Sequence, residues 1–285
     1  MSGRVLVTGA DGFVGRALRV LLESNAVLQR AAVRAQSGIA GEVVVGEVGA
    51  RTDWREALDG CSAVVHLANV AHASVPKSQL FRVNVEGTRR LADDASTAGV
   101  KRFVYVSSAK AIAPDDAYGR SKLAAEHALR SVRAIEAVVL RPPLVYGPGV
   151  KANFLALLVA VDRGWPLPVA SVRNRRSLVY VGNLVDAILR CLVAPEAAGR
   201  TYGVSDGVPM STPELVRAIA RAFGKPARLV PCPPSLLDWI PPLRRLSRSL
   251  EVDDAQIRSE LGWRPPYSFE QGLRATAQWY RARGS

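Results

Sequence analysis

The sequence predicts an α/β fold, a doubly wound parallel sheet with a smaller mixed lobe at its C-terminal end. Three observations predict it. Val5-Leu6-Val7 runs into Thr8-Gly9-Ala10-Asp11-Gly12-Phe13-Val14-Gly15, an apolar stretch closed by three glycines spaced three apart. Short apolar runs then alternate with helix-period segments as far as residue 141. Strands taking turns with helices imply a parallel sheet covered on both faces. Beyond about residue 145, proline and glycine punctuate the chain and helical segments dominate, which marks the second lobe.

The elements follow in order. Strands are expected at 4–8, 27–33, 43–46, 63–67, 102–107 and 136–141, and helices at 13–24, 53–59, 79–98 and 118–133. Further helices are expected at 153–163, 183–193, 213–224, 253–261 and 268–282. Thr212-Pro213-Glu214 sets an N-cap, a first-turn proline and an acid in succession, a helix start. The breaks fall at 146–149, 164–168 and 230–234, and residues 241–248 read as a basic, proline-led loop. The resulting division is residues 1–150, with later segments returning to that domain, and 151–285.

The glycine turn is the first candidate site. A strand, a Gly-rich turn and a helix start bring backbone N–H groups and the positive end of a helix together, where an anion binds. Gly9 permits a tight turn, Gly12 lets the backbone approach a pyrophosphate, and Gly15 lets helix and strand pack closely. The spacing is G-x-x-G-x-x-G rather than G-x-G-x-x-G. The turn alone therefore fits either a dinucleotide pyrophosphate or a ligand-free strand-to-helix junction.

Composition narrows the class. The chain has 285 residues, 48% of them apolar, and a net charge of +13. It lacks an apolar run of transmembrane length and a basic-then-apolar leader, so a cytoplasmic protein without a membrane span is expected. Cys61, Cys191 and Cys232 are scattered, as are His66, His72 and His127. Neither a disulfide framework nor a metal site is expected. The positive charge fits arginine-rich usage or attraction of a polyanionic small substrate. Basic residues are spread along the chain without an aromatic-plus-basic motif, so no nucleic-acid partner is expected.

Tyr118-Gly-Arg-Ser-Lys122 is the second candidate site. Tyr and Lys four apart at a helix start share a face. A lysine ammonium and a helix N-terminus both favour phenolate, which lowers the phenol toward proton transfer near neutral pH. The pair then serves as acid or base at an alcohol or ketone. Phe103-Val-Tyr-Val-Ser-Ser108 is a strand ending in two hydroxyls at the same expected edge of the sheet. Ser108 either bonds a reacting carbonyl oxygen or simply ends the strand.

Taken together these motifs resemble the extended short-chain dehydrogenase/reductases, in particular the NAD(P)-dependent nucleotide-sugar epimerase, dehydratase and reductase group. The resemblance covers nearly the whole chain. Its marks are the glycine turn, His66-Leu67-Ala68, Asn84 with Gly87-Thr88, Val106-Ser107-Ser108, Tyr118-x-x-x-Lys122, the run Leu140 to Gly149, Arg176 to Asn183, and Leu261-Gly262-Trp263-x-Pro265. It implies a Rossmann-like domain holding the cofactor and a lobe holding a nucleotide-diphosphate sugar. It implies Tyr118 as proton donor or acceptor, Lys122 tuning it and holding the ribose, and Ser108 polarising the substrate oxygen. Gly9, Gly12, Phe13, Val14 and Gly15 would cradle the cofactor. Glu47 and Val48 would meet the adenine, and Leu67, Ala68, Asn84 and Val106 would line the cleft. Pro142 and Leu144 would flank the nicotinamide, while Asn153 and Arg176 would contact the diphosphate. Asn153 has a helix cap as its alternative role. A homodimer through the helices near 79–98 and 118–133 is implied by analogy alone.

Two departures shape the functional expectation. The interval from Ser108 to Tyr118 is short for the family. Lys110 within it either reaches a substrate oxygen or is solvated, and Asp115 and Asp116 are expected to cap the next helix. The second strand ends Ala31-Ala-Val-Arg34 with no carboxylate for a ribose 2′-hydroxyl. Arg34 either accepts a 2′-phosphate or is one more exposed arginine. The expectation is therefore an NADPH-dependent reductase of a 4-keto nucleotide sugar, NADP(H) being favoured over NAD(H). The alternatives are a nucleotide-sugar 4-epimerase with tightly held NAD and a non-catalytic dinucleotide-binding protein.

Overall fold

The computed structural model describes residues 3–70, 75–233 and 246–283. His72 and residues 241–245 of the basic loop lie outside the described residues. The chain forms two compact units. The first comprises Met1–Pro142, Val185–Val204 and Asp254–Arg264, and the second Pro143–Leu184, Ser205–Asp253 and Pro265–Ser285.

The first unit is built on a seven-stranded sheet. Its strands are β1 (Arg4–Thr8), β2 (Gln29–Val33), β3 (Glu42–Val44), β4 (Cys61–His66), β5 (Arg102–Val106), β6 (Glu136–Arg141) and β9 (Thr201–Gly203). The order is β3-β2-β1-β4-β5-β6-β9, every pair parallel. The order reverses between β1 and β4, the place where an open α/β sheet opens a crevice at the carboxyl ends of its strands. Val5, Leu6 and Val7 are fully buried, as a strand covered on both faces requires. The helices are α1 (Phe13–Ser24), α2 (Arg55–Leu58), α3 (Lys77–Phe81), α4 (Gly87–Thr97) and α5 (Ala117–Arg130). Trp54, Leu91, Phe103, Tyr105, Leu129 and Val139 share one buried cluster on the sheet.

Local chemistry explains the boundaries. Asp116 caps α5 by accepting from the Gly119 N–H at 2.7 Å. The expected helix over 79–98 is instead α3, a π turn at Arg82–Glu86 and α4. The π turn sets Asn84 on the inner side, where it is buried. Strand β9 escaped the sequence reading because it has three residues and one large side chain, Tyr202.

The second unit contains a two-stranded parallel sheet, β7 (Leu144–Tyr146) with β8 (Leu178–Tyr180). Its helices are α6 (Ala152–Asp162), α8 (Thr212–Ala222) and α10 (Phe269–Ala282). Helix α7 (Val181–Val193) starts in this unit and ends in the first, to which α9 (Ala255–Leu261) also belongs. Tyr146 sits at the centre, packed on Phe154, Tyr180 and Phe269 at ring separations of 5.4, 5.7 and 5.7 Å. Its hydroxyl donates to Asp206 at 2.9 Å. Helix α8 is capped one residue earlier than expected. Ser211 and Glu214 form the capping box, and Thr212 is the first helical residue. No described helix is long and apolar enough to cross a membrane.

Candidate active site

The glycine turn joins β1 to α1 beside the reversal of strand order. Gly9 has φ +64°, a left-handed conformation that glycine adopts without strain. The Gly12 N–H donates to the Gly9 carbonyl at 3.0 Å, closing the turn. A Cβ on Gly15 would lie 2.2 Å from that same carbonyl oxygen, so α1 approaches the turn more closely than any side chain permits. Helix α1 has no side-chain cap at Gly12 and no acid in its first turn. Its leading amides, at Phe13 and Val14, suit a pyrophosphate. The cradle thus fits a dinucleotide by shape and by charge.

Strand β5 carries Val106 and Ser108 toward the same ends of the sheet. Ser108 caps a short 3-10 turn, Ala109–Ala111, by accepting from the Lys110 N–H at 3.2 Å. Tyr118 is the second residue of α5 and lies close enough to Ser108 for that hydroxyl to temper its proton affinity. Lys122, four residues on, is fully buried and donates from Nζ to the Val106 carbonyl at 2.7 Å. The ammonium lies 4.3 Å from the centre of the Tyr105 ring. Ser108, just beyond β5, and Tyr118 and Lys122, one turn apart on α5, thus lie toward the same end of the sheet.

The proton affinities differ from the sequence expectation. Tyr118 is pushed up to about 12, by burial first and by the Asp116 charge second, against the Ser108 hydrogen bond. Burial pulls Lys122 down to about 7, opposed by Glu126. The phenol is not lowered by its lysine, because desolvation acts on both groups and the Nζ atom is committed to a carbonyl.

A buried polar chain ties the turn to the tyrosine helix, and only register exposes it. Thr8 and His66 are partners in the β1–β4 pairing. The Thr8 hydroxyl accepts from the Leu67 and Ala68 amides, both at 3.1 Å, and meets His66 Nδ1 at 2.7 Å. His66 Nε2 meets Thr88 Oγ1 at 3.0 Å, and that hydroxyl donates to the Asn84 carbonyl at 2.7 Å. Thr88 has therefore spent its proton, so His66 donates from Nε2 and accepts at Nδ1. Burial, with Lys122 as a second cause, lowers the imidazole to about 3 and keeps it neutral. Asn84 Nδ2 donates to Ser121 Oγ at 3.0 Å, and Ser121 donates to the Tyr118 carbonyl at 2.8 Å.

A second support lies behind Ser108. Glu126, fully buried, accepts from Ser107 at 2.5 Å and from Arg141 at 3.0 and 2.6 Å. The sequence reading missed Glu126, although it follows Lys122 by one helical turn on the same face.

The remaining candidates are placed as follows. Arg34 is exposed directly after β2. The nearby carboxylate, Glu42, is occupied by the Ser37, Gly38 and Ile39 amides and the Ser37 hydroxyl. Glu47 is exposed and held by Gln79 and Arg82, each at 3.2 Å, while Val48 packs against Gly87. Leu67 and Ala68 are half-buried at the end of β4, and Pro142 is buried after β6. Lys110 is partly exposed, and its ammonium pairs with the Asp116 cap. Leu144, Asn153 and Arg176 belong to the second unit. Asn153 is exposed inside the first turn of α6, whose N-cap is Lys151, so it is not a cap. Arg176 is half-buried, bridges Met210 and Leu250 through its backbone, and donates from Nη1 to the Arg248 carbonyl at 3.2 Å.

Comparison with known proteins agrees with this geometry. The NAD dependent epimerase/dehydratase family model matches residues 5–205. A UDP-glucose 4-epimerase of Vibrio cholerae is 39% identical over 315 aligned residues, covering 98% of this chain and 95% of that protein. A UDP-glucose 4-epimerase of Mycolicibacterium smegmatis is 31% identical, covering 98% of both. The structure of MoeE5 in complex with UDP-glucuronic acid and NAD superposes with a TM-score of 0.82 at 25% identity, covering 99% of this chain and 100% of that one. The parallel sheet, the glycine turn and these matches show that the chain belongs to the NAD-dependent epimerase/dehydratase family, within the extended short-chain dehydrogenase/reductases.

Proposed function

We propose that the protein is an NAD(P)-dependent enzyme that inverts C4 of a UDP-linked sugar. The carrying observation is Lys122, fully buried one helical turn after Tyr118 on α5 and donating to the Val106 carbonyl at the end of the strand that leads to Ser108. The choice of C4 inversion draws on the Vibrio cholerae relative, and places epimerisation ahead of the reduction that the sequence suggested. When bound, the nicotinamide supplies reversible hydride exchange. Tyr118 takes the proton of the C4 hydroxyl in the oxidising half of the cycle and returns it to the C4 oxygen in the reducing half. Ser108 donates to the same oxygen and orients it. Lys122 would hold the ribose hydroxyls, and the α1 amides the pyrophosphate. Arg176 and Asn153 would bind the substrate diphosphate, and Leu144 would flank the nicotinamide.

Mass spectrometry of ligand retained by the native protein tests this, together with turnover of UDP-glucose and UDP-N-acetylglucosamine without added cofactor. Expected are a retained dinucleotide and interconversion of the 4-epimers. Turnover of 4-keto sugars that consumes added NADPH would replace this reading with the second one, a 4-ketoreductase. One observation favours that alternative. Glu42 is tied to its own loop, which leaves Arg34 as the charged group at the end of β2. If Arg34 meets a 2′-phosphate, Arg34→Asp shifts preference from NADPH toward NADH; an unchanged preference makes it a surface residue. We carry over a homodimer through α4 and α5, to be checked by light scattering.

A further inference from the structure

The second unit carries a basic and aromatic face that the proposed chemistry does not use. Trp165, just beyond α6, is 52% exposed, a large value for tryptophan. The Arg163 guanidinium covers its ring at 5.5 Å from the centroid. The segment after Trp165 pairs with the one around Arg228. Leu167 donates to the Arg228 carbonyl at 2.8 Å, and Val230 donates to the Leu167 carbonyl at 2.8 Å. This pairing sets Arg228 beside Gly164 and leaves Val230, bonded to Leu167 two residues after Trp165, 44% exposed.

The face continues from there. Asp162 accepts from Lys225 at 2.5 Å and from the Tyr280 hydroxyl at 3.3 Å. Tyr280 packs on Phe223 at 5.3 Å, and the Arg281 guanidinium lies 5.8 Å from the Phe223 ring. Arg283 lies 5.0 Å from the Trp279 ring. Lys225 and Arg281 thus lie close to Asp162, whose carboxylate is already engaged, Arg163 follows it in the chain, Arg228 lies beside Gly164, and Arg283 lies just beyond α10. Three guanidiniums lie on aromatic rings, which keeps cations and apolar surface in one layer.

We propose that this face docks the protein on an anionic lipid bilayer, with Trp165, Pro166 and Val230 entering the headgroup region. Trp165 offers an apolar body at the surface, the position tryptophan takes at a membrane interface. The surrounding cations match the negative potential of an anionic leaflet. A nucleic acid fits less well. Bases stack on open aromatic faces, whereas Arg163 covers the Trp165 ring, and a base gains nothing from Val230. The docking is peripheral, in keeping with the absence of a membrane-length helix among the described residues.

The test is co-sedimentation of the full-length protein with phosphatidylcholine vesicles, with and without phosphatidylglycerol. Expected is binding to the anionic vesicles alone, weakened by salt, with a blue shift of tryptophan emission that Trp165→Ala removes. Arg163→Glu with Arg228→Glu should cut vesicle affinity at least ~10-fold, from the loss and reversal of two surface charges. Turnover of a water-soluble substrate should be unchanged in both variants, which shows that they fold. Equal binding to neutral vesicles, binding to neither, or full anionic binding by the variants would overturn the proposal. Tighter capture by duplex DNA or RNA that vesicles fail to displace would also overturn it, in favour of a nucleic-acid surface.

Discussion

Tyr118, half-buried, and His66, fully buried, are both aromatic acid–base groups, and the fold uses them in opposite ways. Tyr118 stands at the start of α5, close to Ser108 beyond the end of β5. Tyr118→Phe removes only the hydroxyl, so turnover should fall by about 10²–10⁴ while dinucleotide binding persists. A near-normal rate, measured with the substrate that the native protein turns over, would dismiss the acid–base role. The His66 ring nitrogens meet only the Thr8 and Thr88 hydroxyls, and burial, with Lys122 second, holds the imidazole near 3. Its folded affinity is depressed from 6.5, so the unfolded chain takes up a proton there that the folded chain refuses. The contribution is present above about 6.5 and is lost as pH falls toward 3, at roughly 1.4 kcal/mol per pH unit. Denaturant titrations at pH 7 and 5 should therefore show a steeper loss for the native protein than for His66→Gln. Tyr118 and Lys122 were legible because one helical turn separates them in the chain. The partners of His66 were not, since Thr8 and Thr88 meet it only through strand register and helix placement.

Among the elements, the β1–turn–α1 junction has the least slack. A Cβ on Gly15 would sit 2.2 Å from the Gly9 oxygen and 2.8 Å from Ala10 Cα, both backbone atoms that cannot swing aside. Gly15→Ala should cost about 1–3 kcal/mol through overpacking and weaken dinucleotide binding, read as a lower melting temperature and a higher Kd. An unchanged melt would mean that α1 can tilt away. Helix α1 was read at its observed bounds because three glycines and an amphipathic run frame it. The break in the 79–98 helix was hidden, since a π turn adds a residue without interrupting the helical composition. Strands β7, β8 and β9 have three residues each, too few for an alternation pattern to register.

At the scale of the molecule, the first unit is completed by chain that arrives late. Strand β9 pairs with β6, and the Arg102 guanidinium donates to the Cys191 and Ala194 carbonyls at 2.7 and 2.8 Å. Arg190 donates to the Leu261 carbonyl, and Trp263 donates to Asp186 at 2.7 Å. A truncation ending at residue 150 would leave β6 as an open edge and strip a buried guanidinium of its acceptors, which is costly. Such a fragment should aggregate or melt without cooperativity, whereas the whole chain melts with it. A cooperative transition in the fragment would show that the later segments are dispensable.

The buried path through Thr8, His66, Thr88, Asn84 and Ser121 has a consequence for recombination. It makes the nucleotide-binding end of the chain a poor interchangeable cassette. A first strand spliced in from a relative without a hydroxyl at position 8 would strand the His66 acceptor in a dry interior. The added penalty would be felt at Tyr118, which the same path helps to hold. Chimeras that seek a new cofactor preference should therefore place their crossovers after residue 88, or keep the histidine and both threonines as one inherited set.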